Sequence, residues 1–131
     1  MKRTKKDKNT LFIYYIFMET RFDLKWSVNK QYYYNLIATN GETILNWETY
    51  TTKQNCINWI NSVKLNSKIS TNFVRMRWKY KNWEDYYFYH LKAGNTVVIW
   101  KSELYESISW MDNWIESVKR NASIAIINDL T

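Results

Sequence analysis

Proline is absent from this chain of 131 residues, and glycine occurs only twice. Because these are the residues that turns most often use, the loops must be stiffened by other means. The only cysteine, Cys56, excludes an internal disulfide and is typical of a reducing compartment, so we expect a cytoplasmic protein. The only histidine, His90, excludes a metal site made of several histidines.

Catalytic motifs are also lacking. The chain has no glycine-rich phosphate loop, no nucleophile elbow and no paired metal-ligand spacing. We therefore predict no enzymatic activity, no catalytic residues, no metal and no cofactor. One enzymatic alternative remains, a weak hydrolase in which Glu84 or Asp85 assists His90 across a hairpin.

Aromatic residues are unusually abundant, at 18% of the chain, with eight tryptophans and eleven tyrosines. Hydrophobic residues make up 46%, which suffices for a substantial core. Tryptophan and tyrosine are also the residues most enriched at binding hot spots. The composition therefore favours a compact domain with aromatic contact surfaces.

The net charge of +7 is unevenly distributed. Residues 1–17 carry +4, residues 18–71 carry +2 and residues 72–131 carry +1. The folded part is thus only mildly basic, which weakens any inference of nucleic-acid binding from total charge alone. Lysine, asparagine, isoleucine and tyrosine all have AT-rich codons, and their abundance indicates a low-GC bacterium or one of its phages or mobile elements.

The first 17 residues form a distinct extension, in which a lysine-rich stretch precedes a short apolar run, and Met18 offers a second start. The apolar run is too short to span a bilayer. Three interpretations stay open: a dispensable or misassigned extension, an added strand or helix, and a targeting or membrane-surface segment.

The rest of the chain contains an internal duplication. With an offset of 55, residues 32–67 and 87–122 match at roughly 15 of 36 positions. NWINSVKLN in the first segment corresponds to NWIESVKRN in the second. We therefore predict two repeats, 18–71 and 72–131, that together form one pseudo-symmetric domain.

Each repeat has the pattern of three strands, a helix and a closing strand. Alternating apolar residues and helical spacing place these elements as follows: strands at 22–26, 32–38 and 43–48, and at 73–80, 87–93 and 97–101; helices after Thr51/Thr52 and Ser107; closing strands at 68–72 and 124–127. The Asn40-Gly41 pair predicts a hairpin turn with positive φ at both positions. The second copy has Gly94 shifted, so we expect a different turn there.

Each helix presents a buried stripe with spacing i, i+3, i+4 and i+7. The two stripes are Cys56, Trp59, Ile60 and Val63, and Met111, Trp114, Ile115 and Val118. Glu48-x-Tyr50 recurs as Glu103-x-Tyr105 before each helix, and we interpret it as positioning that helix. A nucleophilic role for Cys56 is disfavoured, because a methionine replaces it in the other copy.

The segments ATNGE, ETYTTK and INSVK, with their counterparts LKAGN, SELYES and IESVKRNA and the ending DLT, resemble the YegP-like family. The resemblance covers about residues 22–131. It implies an α+β fold in which two tandem β3-α-β repeats form one antiparallel sheet, with two helices packed on one face and closing strands exchanged. It implies neither catalytic residues nor a cofactor. Departures from the family are Trp59 and Trp114, a second hairpin about four residues longer than the first, and the lost second Asn-Gly turn.

FVRMRWKYKNW, residues 73–83, alternates between apolar and cationic side chains. We predict that the apolar side faces the core and the cations face outward, where side chains about 6.6 Å apart could follow a nucleic-acid backbone. The alternative is a solvated face that prevents edge pairing. The predicted binding residues are Arg75, Arg77, Lys79, Lys81, Trp83, His90, Lys92, Lys25 and Trp26.

These features favour a non-enzymatic, basic and aromatic binding module. We expect its partner to be a nucleic acid, RNA more than DNA, or a nucleic-acid-handling protein complex, and in a mobile element an inhibitor of a host defence nuclease of the anti-CRISPR kind would fit. The alternative is a housekeeping structural module that forms a homodimer or docks through a sheet edge. No membrane span is expected.

Overall fold

The computed structural model describes residues 19–94 and 96–131, except for the side chains of residues 45–47. The predicted N-terminal extension, residues 1–17, therefore lies outside the described residues, as does the side chain of Trp47. The elements follow in this order: β1 (Arg21–Trp26), β2 (Tyr32–Ile37), β3 (Thr43–Tyr50), α1 (Lys53–Asn66), a short 3₁₀ turn (Ser70–Asn72), β4 (Phe73–Lys79), β5 (Asp85–Lys92), β6 (Val98–Lys101), α2 (Ile108–Asn121) and β7 (Ile126–Asp129).

The α+β class with two helices is confirmed, but the described strands form two sheets rather than one. One sheet has the order β3-β2-β1-β7 and the other has the order β4-β5-β6. The strand β7 comes from the second repeat and pairs in parallel with β1 of the first, so the expected exchange of closing strands occurs in one direction only. The prediction of a single antiparallel sheet was wrong, because the two repeats meet mainly through side chains of a shared core.

The closing strand predicted at 68–72 is replaced by the 3₁₀ turn, which leads directly into β4. A continuous segment cannot lie beside the strand that it becomes. As a result, β4 has a partner only on the β5 side, whereas its counterpart β1 lies between β2 and β7.

Both helices begin as the sequence predicts. The Thr52 hydroxyl accepts from the Asn55 N–H at 3.1 Å, and the Ser107 hydroxyl accepts from the Trp110 N–H at 3.1 Å. Each helix packs against strands of both sheets.

A single core unites the two repeats. Its completely or almost completely buried members include the predicted inward residues of the second strand of each repeat, Tyr34 and Leu36 and their counterparts Tyr89 and Leu91. The predicted helix stripes supply the other side of the core, with Trp59 and Trp114 partly buried at its margin. Trp100 is buried, whereas Trp110 is exposed.

Stacked rings connect each Glu-x-Tyr segment to its helix. Tyr34, Tyr50 and Trp59 stack in the first repeat, with centroids 6.2 and 6.1 Å apart. The second repeat has the same stack, with centroids 6.4 Å apart at both steps, between Tyr89, Tyr105 and Trp114. This packing supports the interpretation that Tyr50 and Tyr105 position the helices.

Each of the four hairpins turns in the same way. The carbonyl of residue i accepts from the N–H of residue i+3, and the N–H of residue i donates to the carbonyl of residue i+4. Residue i+3 has positive φ, between 59° and 84°. The residues at position i+3 are Lys30, Gly41, Trp83 and Thr96.

Two predictions about these turns were wrong. Gly41 has positive φ but Asn40 does not, and the second copy keeps the same turn by placing Thr96 at the position of Gly41. The longer second hairpin comes from longer strands, because its tip is no longer than the others.

Candidate nucleic-acid interface

The cations of β4 lie on the side of the strand that faces the helices, contrary to the prediction. Arg75 is paired across the sheet with the buried Tyr89, and Phe73 with the buried Leu91. Residues opposite one another in a sheet share a face, so Arg75, Arg77 and Lys79 lie on the same side as Phe73. The prediction was wrong because it assigned the apolar side of the alternation to the core.

The position of β4 at the sheet edge explains the reversal. In the first repeat, the equivalent core-side positions are Leu24 and Trp26, and Leu24 is fully buried within a strand that has partners on both sides. At the open edge of β4, the core side is reached by solvent, and Arg75 and Arg77 are exposed. Cations at such an edge also discourage pairing with other strands.

Several of these cations have anionic or aromatic partners. Arg75 Nε donates to the Asp112 carboxylate of α2 at 2.7 Å. Lys79 Nζ lies 3.9 Å from Asp85 and 5.8 Å from the centroid of the Trp83 ring. Within the described part of the chain, Arg77 and Lys81 take no ion pair. The predicted row of four cations is therefore partly neutralised.

The opposite face of this sheet carries the aromatic side chains. Val74 is paired with His90, Met76 with Phe88, and Trp78 with Tyr86. We call these residues, together with Tyr80, Lys92 and Lys101, the outer aromatic face. Trp78 and Tyr80 are about half exposed, whereas Phe88 and Tyr86 are partly buried.

Ring contacts hold this face in a defined arrangement. Tyr80 and Tyr86 meet edge to face with centroids 5.4 Å apart, and Phe88 meets His90 in the same way at 5.6 Å. The Tyr86 hydroxyl donates to Glu84 at 3.1 Å, and this hydrogen bond, followed by the charge of Glu84, raises the pKa of Tyr86. Tyr86 therefore stays a neutral, oriented ring.

Positive charge gathers at the other end of the face. His90 is paired with Lys101 on β6, and Lys92 follows it on β5. Burial lowers the pKa of His90, and the charges of Lys101 and Lys92 lower it further. His90 and Lys92 were predicted to extend the cationic side of β4, but they lie on the opposite face.

A depression of about 430 Å³ lies beside the aromatic residues of β4. Its lining consists of Trp78, Lys79, Tyr80, Lys81 and Leu104. Aromatic surfaces and lysines thus meet at one place, and Lys81, from the predicted set, contributes to it.

The remaining predicted residues are dispersed. Lys25 and Trp26 belong to β1 in the other sheet, where Trp26 packs edge to face on Tyr32 with centroids 4.5 Å apart. Trp83 stands at the hairpin tip and is 79% exposed. Sequence reasoning missed Trp78, Tyr86, Phe88 and Lys101. Counting alternate residues from the core residue Phe73 would have placed Trp78 on the outer face, and counting from the inward Tyr89 would have placed Tyr86 and Phe88 there, whereas Lys101 is placed by its pairing with His90.

The hydrolase alternative finds no support in the geometry. Asp85 lies five residues from His90 along β5, which corresponds to about 16 Å, and Glu84 is bonded to Tyr86. Burial raises the pKa of the Cys56 thiol to about 11, so this side chain is a protonated core residue and a poor nucleophile at neutral pH.

Among residues 19–94 and 96–131, no cluster of three potential metal ligands from His, Cys, Asp and Glu occurs. No helix in the same ranges is long and apolar enough to cross a membrane.

The fold and the outer face define a class, namely a duplicated α+β domain with one open aromatic sheet face. The chain belongs to the DUF1508 family, a domain of unknown function, whose profile matches residues 27–73 and 84–129. Among its relatives, the UPF0339 protein of Photorhabdus laumondii is 42% identical over 84% of this chain and 93% of its own length. The UPF0339 protein of Shewanella oneidensis is 38% identical over 84% of this chain and 96% of its own length.

Solved structures of two relatives have the same fold. The solution structure of Escherichia coli YegP has a TM-score of 0.71 and 32% identity, covering 87% of this chain and 95% of its own. A solution structure of a UPF0339 protein from Shewanella oneidensis gives 0.69 and 38%, covering 87% and 93%. The predicted YegP-like resemblance is thereby confirmed.

Proposed function

We propose that this protein is a non-enzymatic binding module for single-stranded nucleic acid, RNA in preference to DNA, and that the outer aromatic face is its binding surface. One observation carries the proposal: the open face of β4 and β5 presents aromatic rings between two groups of lysines. We place this activity in the cytoplasm, in keeping with the single cysteine.

Stacking of bases on sheet aromatics is a widespread way to hold single strands. Trp78 near the end of β4 and Tyr80 just beyond it offer exposed rings. On β5, Tyr86 lies opposite Trp78, and Phe88 lies opposite Met76. A base stacked on such a ring contributes about 1–3 kcal/mol.

The lysines can follow the phosphates on either side of the rings. Lys81 lines the depression beside Trp78 and Tyr80, and Lys92 and Lys101 flank His90 at the other end. Binding that neutralises these charges releases counterions and weakens as salt rises. The cations on the core side of β4 are less suited to contact phosphates, because Arg75 already pairs with Asp112.

Fluorescence anisotropy with a labelled oligouridylate tests the proposal. Trp78→Ala should weaken binding roughly tenfold, since one stacking surface is lost. Trp110→Ala, which removes a similarly exposed tryptophan of α2, is the matched control and should bind normally. If Trp78→Ala binds RNA as tightly as the unmodified protein, the outer aromatic face is not the site.

A second set of variants separates the two faces. Replacing Lys92 and Lys101 with glutamine should weaken binding and flatten its salt dependence between about 50 and 200 mM. Replacing Arg75 and Arg77 with serine should have the smaller effect. Lys68→Gln, which changes an exposed lysine after α1, controls for total charge.

A further inference from the structure

A second depression, of about 370 Å³, lies at the start of α2 and has the opposite charge. Its lining consists of Glu103, Leu104, Tyr105, Glu106, Trp110 and Trp114. We call it the Trp110 pocket. Leu104 lines both this pocket and the lysine-containing depression beside Trp78, so the two depressions are neighbours.

The carboxylates of the Trp110 pocket are not neutralised by ion pairs. In the part of the chain that the structure describes, neither Glu103 nor Glu106 takes part in one. The nearby start of α2 contributes a partial positive charge of about half an elementary charge, which is much smaller than that of two carboxylates. Burial and then the charge of Glu103 raise the pKa of Tyr105 to about 12. A negative potential therefore extends to the inner wall of the pocket.

The exposed ring of Trp110 completes the pocket. This side chain is 65% exposed, although it lies in the first turn of a helix whose buried positions are Met111, Ile115 and Val118. Packing does not account for a tryptophan there. Trp114 also lines the pocket, and its ring is held in place by stacking on Tyr105.

The first repeat supplies an internal comparison. With the offset of 55, Tyr105 and Trp114 correspond to Tyr50 and Trp59, which form the same ring stack. The ring stack therefore belongs to the fold. Glu103 also has a counterpart, Glu48. At the other positions, Leu104, Glu106 and Trp110 correspond to Thr49, Thr51 and Asn55, so the leucine, the second carboxylate and the exposed tryptophan of the pocket occur in the second repeat only.

We infer that the Trp110 pocket binds an arginine side chain of a partner protein, with the guanidinium against the Trp110 ring and its N–H groups directed to Glu103 and Glu106. Arginine fits better than lysine, since its planar group stacks on an aromatic ring and donates to two carboxylates together. This inference rests on the pocket alone and does not depend on the proposed binding of RNA.

A titration followed by NMR tests the inference, with a blocked Gly-Arg-Gly peptide as the probe. We expect the Trp110 indole N–H signal, assigned from its loss in Trp110→Ala, to shift saturably. Gly-Lys-Gly should bind more weakly and Gly-Glu-Gly should cause no shift. No saturable shift with the arginine peptide at millimolar concentrations would overturn the inference.

Variants of the pocket sharpen the test. Glu103→Gln combined with Glu106→Gln should weaken arginine binding roughly tenfold, since the guanidinium would keep its contact with the Trp110 ring but lose its charge-assisted hydrogen bonds to both carboxylates. Trp78→Ala should leave arginine binding unchanged, and Trp110→Ala should leave RNA binding unchanged. If Trp78→Ala and Trp110→Ala each impair both ligands equally, separate sites are refuted.

The first repeat also permits a gain of function. Introducing Thr49→Leu, Thr51→Glu and Asn55→Trp together into the Trp110→Ala variant should restore a saturable indole shift with the arginine peptide, now at position 55. A folded variant, judged by its dispersed amide spectrum, that fails to respond would show that the lining residues do not define the site.

Discussion

Backbone strain is concentrated at the hairpin tips. Of the residues with positive φ in the described chain, Gly41 alone is glycine, and Trp83 and Thr96 adopt this conformation despite bulky or β-branched side chains. A left-handed conformation costs an L-residue about 1–2 kcal/mol. Nothing within 4 Å would contact a Cβ at Gly41, so only its φ favours glycine there.

Trp83→Gly is expected to stabilise the protein by about 1 kcal/mol, because relief of the strained backbone outweighs the loss of the Lys79 contact with the ring. Urea unfolding followed by circular dichroism measures the change. Thr96→Gly makes the same change at the tip of another hairpin and should also stabilise the protein. A loss of stability in both variants would contradict the strain argument.

The protonation of His90 makes the stability of the protein depend on pH. Its pKa in the fold lies below the ordinary value of about 6.5. The folded state thus binds the proton less readily than the unfolded chain, so the stability that His90 contributes is complete above about pH 6.5 and is lost as the pH falls through the lowered pKa.

Whereas stability falls as the pH is lowered, RNA affinity should rise. Below the lowered pKa of His90, its imidazolium adds a positive charge to the outer aromatic face, so affinity should rise as the pH falls below about 6.5 and through that pKa. Anisotropy titrations at several pH values check this prediction. His90→Gln should remove most of the change, and an unaltered pH profile in that variant would exclude His90 from the interface.

At the element scale, the exchanged strand β7 is held by a buried polar cluster. Asp23 of β1 accepts from Arg21 Nε at 2.9 Å and from Asn128 Nδ2 of β7 at 3.0 Å. Outside the cluster, Lys53 of α1 donates to Asp129 at 3.0 Å, and bonds from Thr131 and Lys53 lower the pKa of Asp129 to about 2. These contacts join β7 of the second repeat to β1 and α1 of the first.

Asp23→Ala should destabilise the protein by on the order of 3 kcal/mol, because it removes a buried carboxylate that pairs with Arg21 and receives the Asn128 amide. Chemical denaturation provides the measurement, and faster hydrogen exchange at β7 would localise the effect. Asp129→Ala, which alters the exposed attachment, should cost much less. Equal losses in the two variants would contradict the importance of burial.

At the scale of the whole molecule, neither repeat forms the core alone, and the first repeat does not complete its own sheet. The first sheet takes β7 from the second repeat, and one cluster of buried residues includes side chains from both. Residues 18–71 and 72–131 expressed separately should therefore be unfolded. Circular dichroism and amide dispersion check each half, and mixing the halves should restore the native spectrum. A folded isolated half would refute the dependence.

The inhibitor of a host defence nuclease and the homodimeric structural module both stay predictions for the whole molecule. Loss of nuclease activity in the presence of the protein would support the first. A concentration-dependent mass in sedimentation equilibrium would support the second.

The sequence by itself determined the helices, most of the strands and their duplication. The Thr52 and Ser107 caps, the helix stripes and the inward residues Tyr34 and Tyr89 could be predicted because they depend on short-range spacing and local hydrogen bonds. The family could be recognised because those patterns recur in order.

Only the tertiary structure decided which side of β4 meets the core. Alternation along a strand separates two sets of side chains, but it does not say which set is covered, and at an unpaired edge both sets are reached by solvent. The vacant place beside β4 arises from the continuous path through Ser70–Asn72, which no local pattern shows. The outer aromatic face and the Trp110 pocket exist because packing distant segments together decides which rings remain uncovered.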